Sequence, residues 1–512
     1  MSSLPGFETL PEGTHTHPGI EEKTLKPRLK QVNRNQLLLR PIDVENLVPP
    51  GHGVRAIWEF TGHIDLAPYY QDIKAVQGKA GSTAFDPRLL ICIWIYSYSK
   101  GIGSAREISR LIEYDPAYQW LTGMEPVNYH TLSDFRSVRS EALHELFVNV
   151  LGILSGEGLV ALEHVMHDGM KVKACAGSDS FRREERLKSH LEAAEEQVKR
   201  LEESPGEEIS PRIQKARERA ARERKEKLEK ALSELTKIRE TKSSLEDKAN
   251  ARASMTDPEA RTMKQSDGGY APSYNLQIST DSAHGIIIAE AVSQRADDYK
   301  ELMPAAERIE ENTGRMPAQM VTDGGFTSRR NIIAMDNKCI DFIGSLQKRN
   351  SRGQFEKRGV DPSFRPEQFT YNQNDDTYIC PQGKVLKYKR KQENHIGKTN
   401  FVYHARKEDC RACPYEDKCC PGEKVSKRSI VRGVDDPVVT AFIEKMETEE
   451  AKAIYKKRGA IAEFPNAWIK DKLGLRQFHL RGLVKAGMET IWACLTYNIQ
   501  QWIRLIWRPE LA

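Results

Sequence analysis

The chain has 512 residues, 29% of them charged and 39% hydrophobic, enough for roughly two to four units around at least one sizeable core. A net charge of +5 is too small for overall charge to argue for a nucleic-acid partner. No apolar run reaches membrane-spanning length, since Asn498, Gln500, Gln501 and Arg504 interrupt the nearest one, Thr490 to Trp507. With no signal peptide visible, the expectation is a cytoplasmic protein without membrane contact.

Residues 1–35 are polar, rich in Pro, Gly and Thr, and are expected to form a flexible tail in which His15 and His17 are solvated. Residues 36–155 are expected to form a helical domain. Asp86-Pro87 opens an apolar helix that stops at Gly101, and Ser104 with Glu107 forms a capping box for a helix through Ile112. Asp115-Pro116 starts a short helix ending near Gly123, and Thr131 with Asp134 suggests a second capping box for a helix through Phe135, Leu143 and Phe147. Short capped helices are compatible with a helix-turn-helix, although a generic bundle has the same pattern.

Val160, Leu162, Val165 and Met166 predict a strand ending at Asp168, with Gly169 allowing a sharp turn. Residues 181–248 are rich in Glu, Lys, Arg and Ala. Leu187, Leu191, Ala194, Val198 and Leu201 form one stripe and Leu228, Leu232, Leu235, Ile238 and Leu245 another, with a break at SPGEEISP between them. This predicts an antiparallel coiled-coil hairpin, inserted into an α/β fold made of residues 156–180, 249–349 and 450–512. Within that fold come alternating strands near Asp281 and HGIIIAEAVSQ and a helix from about Asp298 to Asn312. A buried strand, Gln319 to Thr322, then ends at Asp323 before two glycines.

Residues 350–449 form a basic, cysteine-rich insertion that includes a basic β-hairpin, VLKYKRKQ with NFVYHARK. Five of the nine cysteines lie between Cys380 and Cys420. Cys410 and Cys413 put two thiols on one tight loop, and Cys380 and Cys419 would complete a structural zinc site, with Cys420 or His404 as alternatives for one position. The bland alternative is a loop of unpaired thiols.

The stretch Tyr455 to Lys470, YKKRGAIAEFPNAWIK, sets Glu463 among Lys456, Lys457, Arg458 and Lys470. On a helix Glu463 and Lys470 share a face, and Pro465 should kink or restart that helix. A carboxylate among cations suits metal and phosphate binding, and equally a solvated charged face. Between Lys452 and Lys485 nine Lys or Arg stand against two acids, a plausible phosphate-binding surface.

Tyr455, Arg458, Glu463 and Lys470 resemble the YREK signature of bacterial insertion-sequence DDE transposases. Four residues separate Arg458 from Glu463 where the commonest form has three. DPRLLICIWIYSYSKGIGSAREISRLIEYDPAYQWLTG, the DGGY of Asp267 to Tyr270 with Tyr274, Asn275 and Gln277, and GLRQFHLRGLVKAGMETIWACLTYN resemble the same group. The resemblance implies an RNase H-like catalytic core with a helical N-terminal DNA-binding domain. It implies catalytic carboxylates at Asp168, Asp323 and Glu463, binding Mg²⁺ or Mn²⁺ as two ions about 4 Å apart. It assigns DNA contacts to Tyr455, Arg458 and Lys470, and supports zinc at Cys380, Cys410, Cys413 and Cys419. The implied partners are double-stranded DNA, as element ends and target, and further copies of the chain in a homodimer or larger complex on the nucleoid. The rival expectations are a nuclease of the same fold without strand transfer, and a silent DNA-binding derivative.

Overall fold

The computed structural model describes residues 34, 35, 37, 39, 41–71, 73, 83–203, 210–346, 355–394, 398–422 and 427–510. The expected tail lies almost wholly outside the described residues, as do His15, His17 and most of the break between the two leucine stripes. The first of two contact units, Met1–Asp43, is almost entirely outside them; everything below concerns the second, Val44–Ala512.

The chain begins with helices: α1 Gly53–Thr61, α2 Ala67–Tyr70, α3 Pro87–Ser99, α4 Ala105–Tyr114, α5 Pro116–Thr122, α6 Tyr129–Val138 and α7 Ser140–Gly156. Their starts follow local chemistry. The side chains of Asp86, Ser104 and Asp115 accept from the backbone N–H of Arg88, Glu107 and Ala117, groups that have no partner inside the helix. The expected cap at Thr131 is wrong. Asn128 caps α6 by accepting from His130 N, and Thr131 lies inside the helix. Nor is there one helix through Phe147: Arg139, at φ −118° and ψ 75°, separates α6 from α7.

The main sheet comprises β1 His164–Lys173, β4 Arg261–Lys264, β5 Tyr270–Asp281, β6 Ile287–Ser293, β7 Gln319–Thr322 and β8 Asp341–Ile343; β2 Phe181–Arg182 and β3 Ala253–Ser254 pair separately. β5 lies antiparallel to β1 on one side and itself pairs antiparallel with β4 and β6. On the other side β7 runs parallel to β1, and β8 parallel to β7. Helices α8 Glu184–Glu203 and α9 Pro211–Glu240 leave the sheet as an antiparallel pair. They bury Leu187, Ala194, Leu228, Ala231 and Leu235 together, and ion pairs Glu184–Arg239 and Glu195–Lys225 fix their direction. After α10 Leu245–Ala249, α11 Leu302–Thr313 and α12 Arg329–Asn337 comes a second sheet, β9 Thr370–Asn372, β10 Thr377–Ile379, β11 Val385–Asn394, β12 Lys398–His404 and β13 Ser429–Asp435, antiparallel throughout. Short helices α13 Lys407–Arg411 and α14 Glu416–Cys419 interrupt it.

The chain ends with α15 Pro437–Met446, α16 Glu449–Asp471 and α17 Leu483–Trp502. The restart expected at Pro465 does not occur, for α16 is one continuous helix with Pro465 inside it. A proline inside a helix costs about 3 kcal/mol. Here Ala462, Pro465, Asn466 and Ile469 are buried, and that packing offsets the missing hydrogen bond. α17 is buried all round from Met488 to Ile499. Asn498 bonds both backbone groups of Ile287 and Glu489 accepts from His479 and Leu480, while the buried Trp502 Nε1 has no partner among the described residues. Trp492 packs near Trp94 of α3, so one core joins the N-terminal helices, α17 and the sheet. Among the described residues no helix is long and apolar enough to cross a membrane.

Candidate active site

The site lies where β7 stops and β1 continues. His167 is opposite Thr322 in the parallel register, which sets the next residue on each side, Asp168 and Asp323, next to one another. β7 ends at Thr322, while β1 goes on to Lys173, paired with β5 on its other flank and bridged at Lys173 to Gln477. The result is a notch at the carboxyl end of β7 with two carboxylates at its rim. Asp168 was expected to end its strand before a turn at Gly169; it stands in mid-strand, opposite Ile278. Gly169 serves a close approach. A Cβ there would lie 2.7 Å from Gln277 Nε2 and 2.9 Å from Asp298 Oδ1.

Asp323 is held by its own turn, its Oδ1 accepting from Gly325 N at 2.7 Å and its carbonyl from Thr327 Oγ1 at 2.9 Å. Asp168 accepts from Gly169 N and, through Oδ2, from Asn466 Nδ2 of α16 at 3.0 Å. Burial, reinforced by the charge of Asp323, pushes the Asp168 carboxyl up to about 6, although Gly169, Arg458 and Asn466 pull it back. Burial also lowers Lys470, while Asp168 opposes the shift. The helix therefore presents Arg458, Asn466 and Lys470 to the carboxylate.

Glu463 stands apart. Its side chain is 66% exposed, and its carboxylate faces Arg458 Nη2 at 3.7 Å. Arg458 also lies over the Tyr455 ring. Among the described residues no three His, Cys, Asp or Glu side chains form a group able to hold a metal ion. Asp168 and Asp323 are neighbours, but Glu463 is not gathered onto them in this conformation. The donors fit a hard divalent cation nonetheless: two carboxylates crowd one notch, and the charge of Asp323 disfavours ionisation of Asp168.

Several supporting groups were not legible beforehand. Asp298 accepts from Lys171 Nζ, Asn275 Nδ2 and Gln277 Nε2 at 3.2, 2.6 and 3.0 Å. It was expected to begin a helix but lies in the loop before α11, which starts at Leu302. His167 is buried between Ser279 Oγ and Gln277 Oε1, and burial lowers it to about 4, so it is neutral at physiological pH. Asn466 had no sequence signal beyond its place three residues after Glu463.

Cys380, Cys410, Cys413, Cys419 and Cys420 line one small cavity under the second sheet. Lys384 N donates to Cys380 Sγ and Arg428 N to Cys410 Sγ; burial nevertheless raises the Cys410 thiol, with the Arg428 bond opposing. The thiols line this cavity without closing into a ligand shell. His404 is no alternative ligand: it alternates with Tyr403 and Ala405, which face the cysteine-side core, and so points to the other face.

Two family models match the chain. A transposase domain of otherwise undefined function (DUF772) covers residues 42–138, and a transposase DDE domain covers residues 379–503. Both matched models are transposase domains, and the pair is consistent with a DDE transposase of an insertion sequence. The DDE match takes in α16 with Glu463 and Lys470 and most of the cysteine-bearing sheet, and begins well after Asp168 and Asp323. No curated protein and no solved structure gave a significant match.

Proposed function

We propose that this transposase binds the terminal inverted repeats of its own element, cleaves DNA there and joins the 3′-hydroxyl ends to target DNA, on an RNase H-like core. The observation that carries this is the juxtaposition of Asp168 and Asp323 under a helix offering Arg458, Asn466 and Lys470. The sheet supports the fold name, with antiparallel strands on one side of β1 and two parallel strands on the other.

In this account Asp168, Asp323 and Glu463 hold Mg²⁺ or Mn²⁺, and Glu463 reaches the notch by leaving Arg458. Such ions, when bound, activate an attacking oxygen and stabilise the leaving one. The chain's own residues do the rest. Asn466 orients the Asp168 carboxylate. Arg458 and Lys470 place the phosphate, and Tyr455 stacks against Arg458. The helices of residues 36–155 contact the element ends, the α8–α9 pair meets a second subunit or DNA, and the complex forms as a homodimer or larger on DNA. Cys380, Cys410, Cys413 and Cys419 take one structural zinc.

The outward Glu463 favours one rival, a DNA-binding derivative that no longer cleaves. Precut element ends incubated with target plasmid and magnesium separate the accounts. Joined products support the transposase, cleavage of uncut ends without joining indicates a nuclease, and binding alone indicates the silent derivative.

A further inference from the structure

The basic hairpin has no role in the chemistry above. β11 carries Lys387, Lys389, Arg390 and Lys391 within five residues, and all four are exposed. Regular alternation would divide them between the two faces of the sheet. A register shift between Tyr388 and Arg390 prevents this: Tyr388 pairs with Tyr403 and Arg390 with Val402, leaving Lys389 as the extra residue. Lys387 is opposite His404, on the face away from the cysteines. The bulge turns Lys389 and Arg390 to that face too. His404 registers their presence: burial first, then the charges of Lys427, Arg390 and Lys389, lower its pKa. Its Nδ1 is buried without a hydrogen-bond partner. Among the described residues Lys387, Lys389, Arg390 and Lys427 make no ion pair, although cations at a protein surface usually alternate with acids.

We infer that this face of the second sheet, through Lys387, Lys389, Arg390 and Lys427, is a docking surface for the phosphate backbone of duplex DNA. Side chains two apart on a strand are about 7 Å apart, which lets them track one strand of a polyanion. The hairpin also falls inside the span matched by the transposase DDE domain. Contacts to phosphate oxygens carry no sequence information, so the surface supplies affinity independent of sequence. The inference rests on the proposed function for its partner, but uses none of the carboxylates.

The test uses the full chain and a random-sequence 40-base-pair duplex, with affinity measured across a range of salt concentrations. Replacing Lys387, Lys389 and Arg390 together by alanine should weaken binding at low salt and flatten the log–log salt dependence. Each lost phosphate contact removes a slope of about 0.9, so the whole change should be roughly 2 to 3. A charge-keeping variant, Lys387→Arg with Lys389→Arg and Arg390→Lys, should restore both affinity and slope. An unchanged slope in the alanine variant overturns the inference, as does an equal loss in the charge-keeping variant. Metal-dependent nicking by the unaltered protein reports separately on the proposed function. A protein that nicks but loses no salt dependence on alanine substitution refutes the surface alone.

Discussion

Asn466 Nδ2 donates to Asp168 Oδ2 at 3.0 Å, joining α16 to β1 across 298 residues of chain. Asn466 is buried, and its own Oδ1 has no partner, so it is kept for its donor rather than for a satisfied pair of bonds. The bond fixes the helix that bears Glu463 against the strand that bears Asp168.

Asn466→Ala should therefore free the Asp168 carboxylate. A hydrogen bond to the ionised form is lost, so the Asp168 pKa should rise further. The acid limb of a magnesium-dependent nicking profile should move to higher pH, with about 1 kcal/mol of stability lost. Asn466→Asp should do worse, by adding a third negative charge. An acid limb unmoved in the alanine variant would remove Asn466 from the site.

In the notch two carboxylates lie side by side, offset only in part by Arg458 and Asn466. Magnesium should raise the thermal midpoint of the unaltered protein, because it binds the folded state and not the unfolded chain. Asp168→Asn should raise the midpoint of the metal-free protein and largely abolish the magnesium response. Differential scanning fluorimetry in chelator and in magnesium reads both. An equal magnesium response in Asp168→Asn would place the cation elsewhere.

Glu290 gives a pH dependence away from the site. Burial raises its carboxyl from the ordinary 4.5 to about 7, with Arg308 opposing. An acid whose folded-state pKa is raised contributes stability that is fully present below pH 4.5 and is lost as pH rises through 7. Glu290→Gln should then stabilise the protein at pH 8 by on the order of 2 kcal/mol, and change it little at pH 4. Urea titrations at the two pH values measure this, and a stabilisation larger at pH 4 would contradict the sign.

Much of the helical start of the chain could be read from local chemistry, because caps at Asp86, Ser104 and Asp115 are decided by residues two or three apart. Most of what failed depended on distant partners. Thr131 matched a cap pattern, yet Asn128 three residues earlier caps α6 instead, accepting from His130 N. Asp168-Gly169 looked like a turn because strand pairing is invisible in sequence; the strand that ends there is β7, not β1. Pro465 looked like a break because the buried face that holds α16 together comes from β1, β7 and β8. Asp298 and Asn466 carry no motif, and only the fold brings them near Asp168 or its neighbour Gly169.

The shared core predicts one unfolding transition for the N-terminal helices and the sheet. Leu495 is fully buried in α17, between them. Leu495→Ala should cost about 2–5 kcal/mol. Tryptophan fluorescence from Trp94 and Trp492 and far-ultraviolet circular dichroism should still melt together. Separate melting of the two signals would show that the helical region folds on its own.

For the cysteine cavity, protein purified without added metal should carry about one zinc per chain. Chelation should loosen the second sheet before the first. Zinc content unchanged in Cys410→Ser with Cys413→Ser would exclude these thiols as ligands.

The most direct measurement is magnesium-dependent nicking of a duplex bearing the element end, taken from the inverted repeats that flank the gene. It compares the unaltered chain with Asp168→Asn, Asp323→Asn and Glu463→Gln. Each substitution nearly keeps the shape and removes one charge, so each variant should bind the end DNA and fail to cut it, while Asp341→Asn cuts normally. Lys470→Ala should bind more weakly and keep residual cutting. Normal nicking by Glu463→Gln, or loss confined to Asp341→Asn, would contradict the assignment.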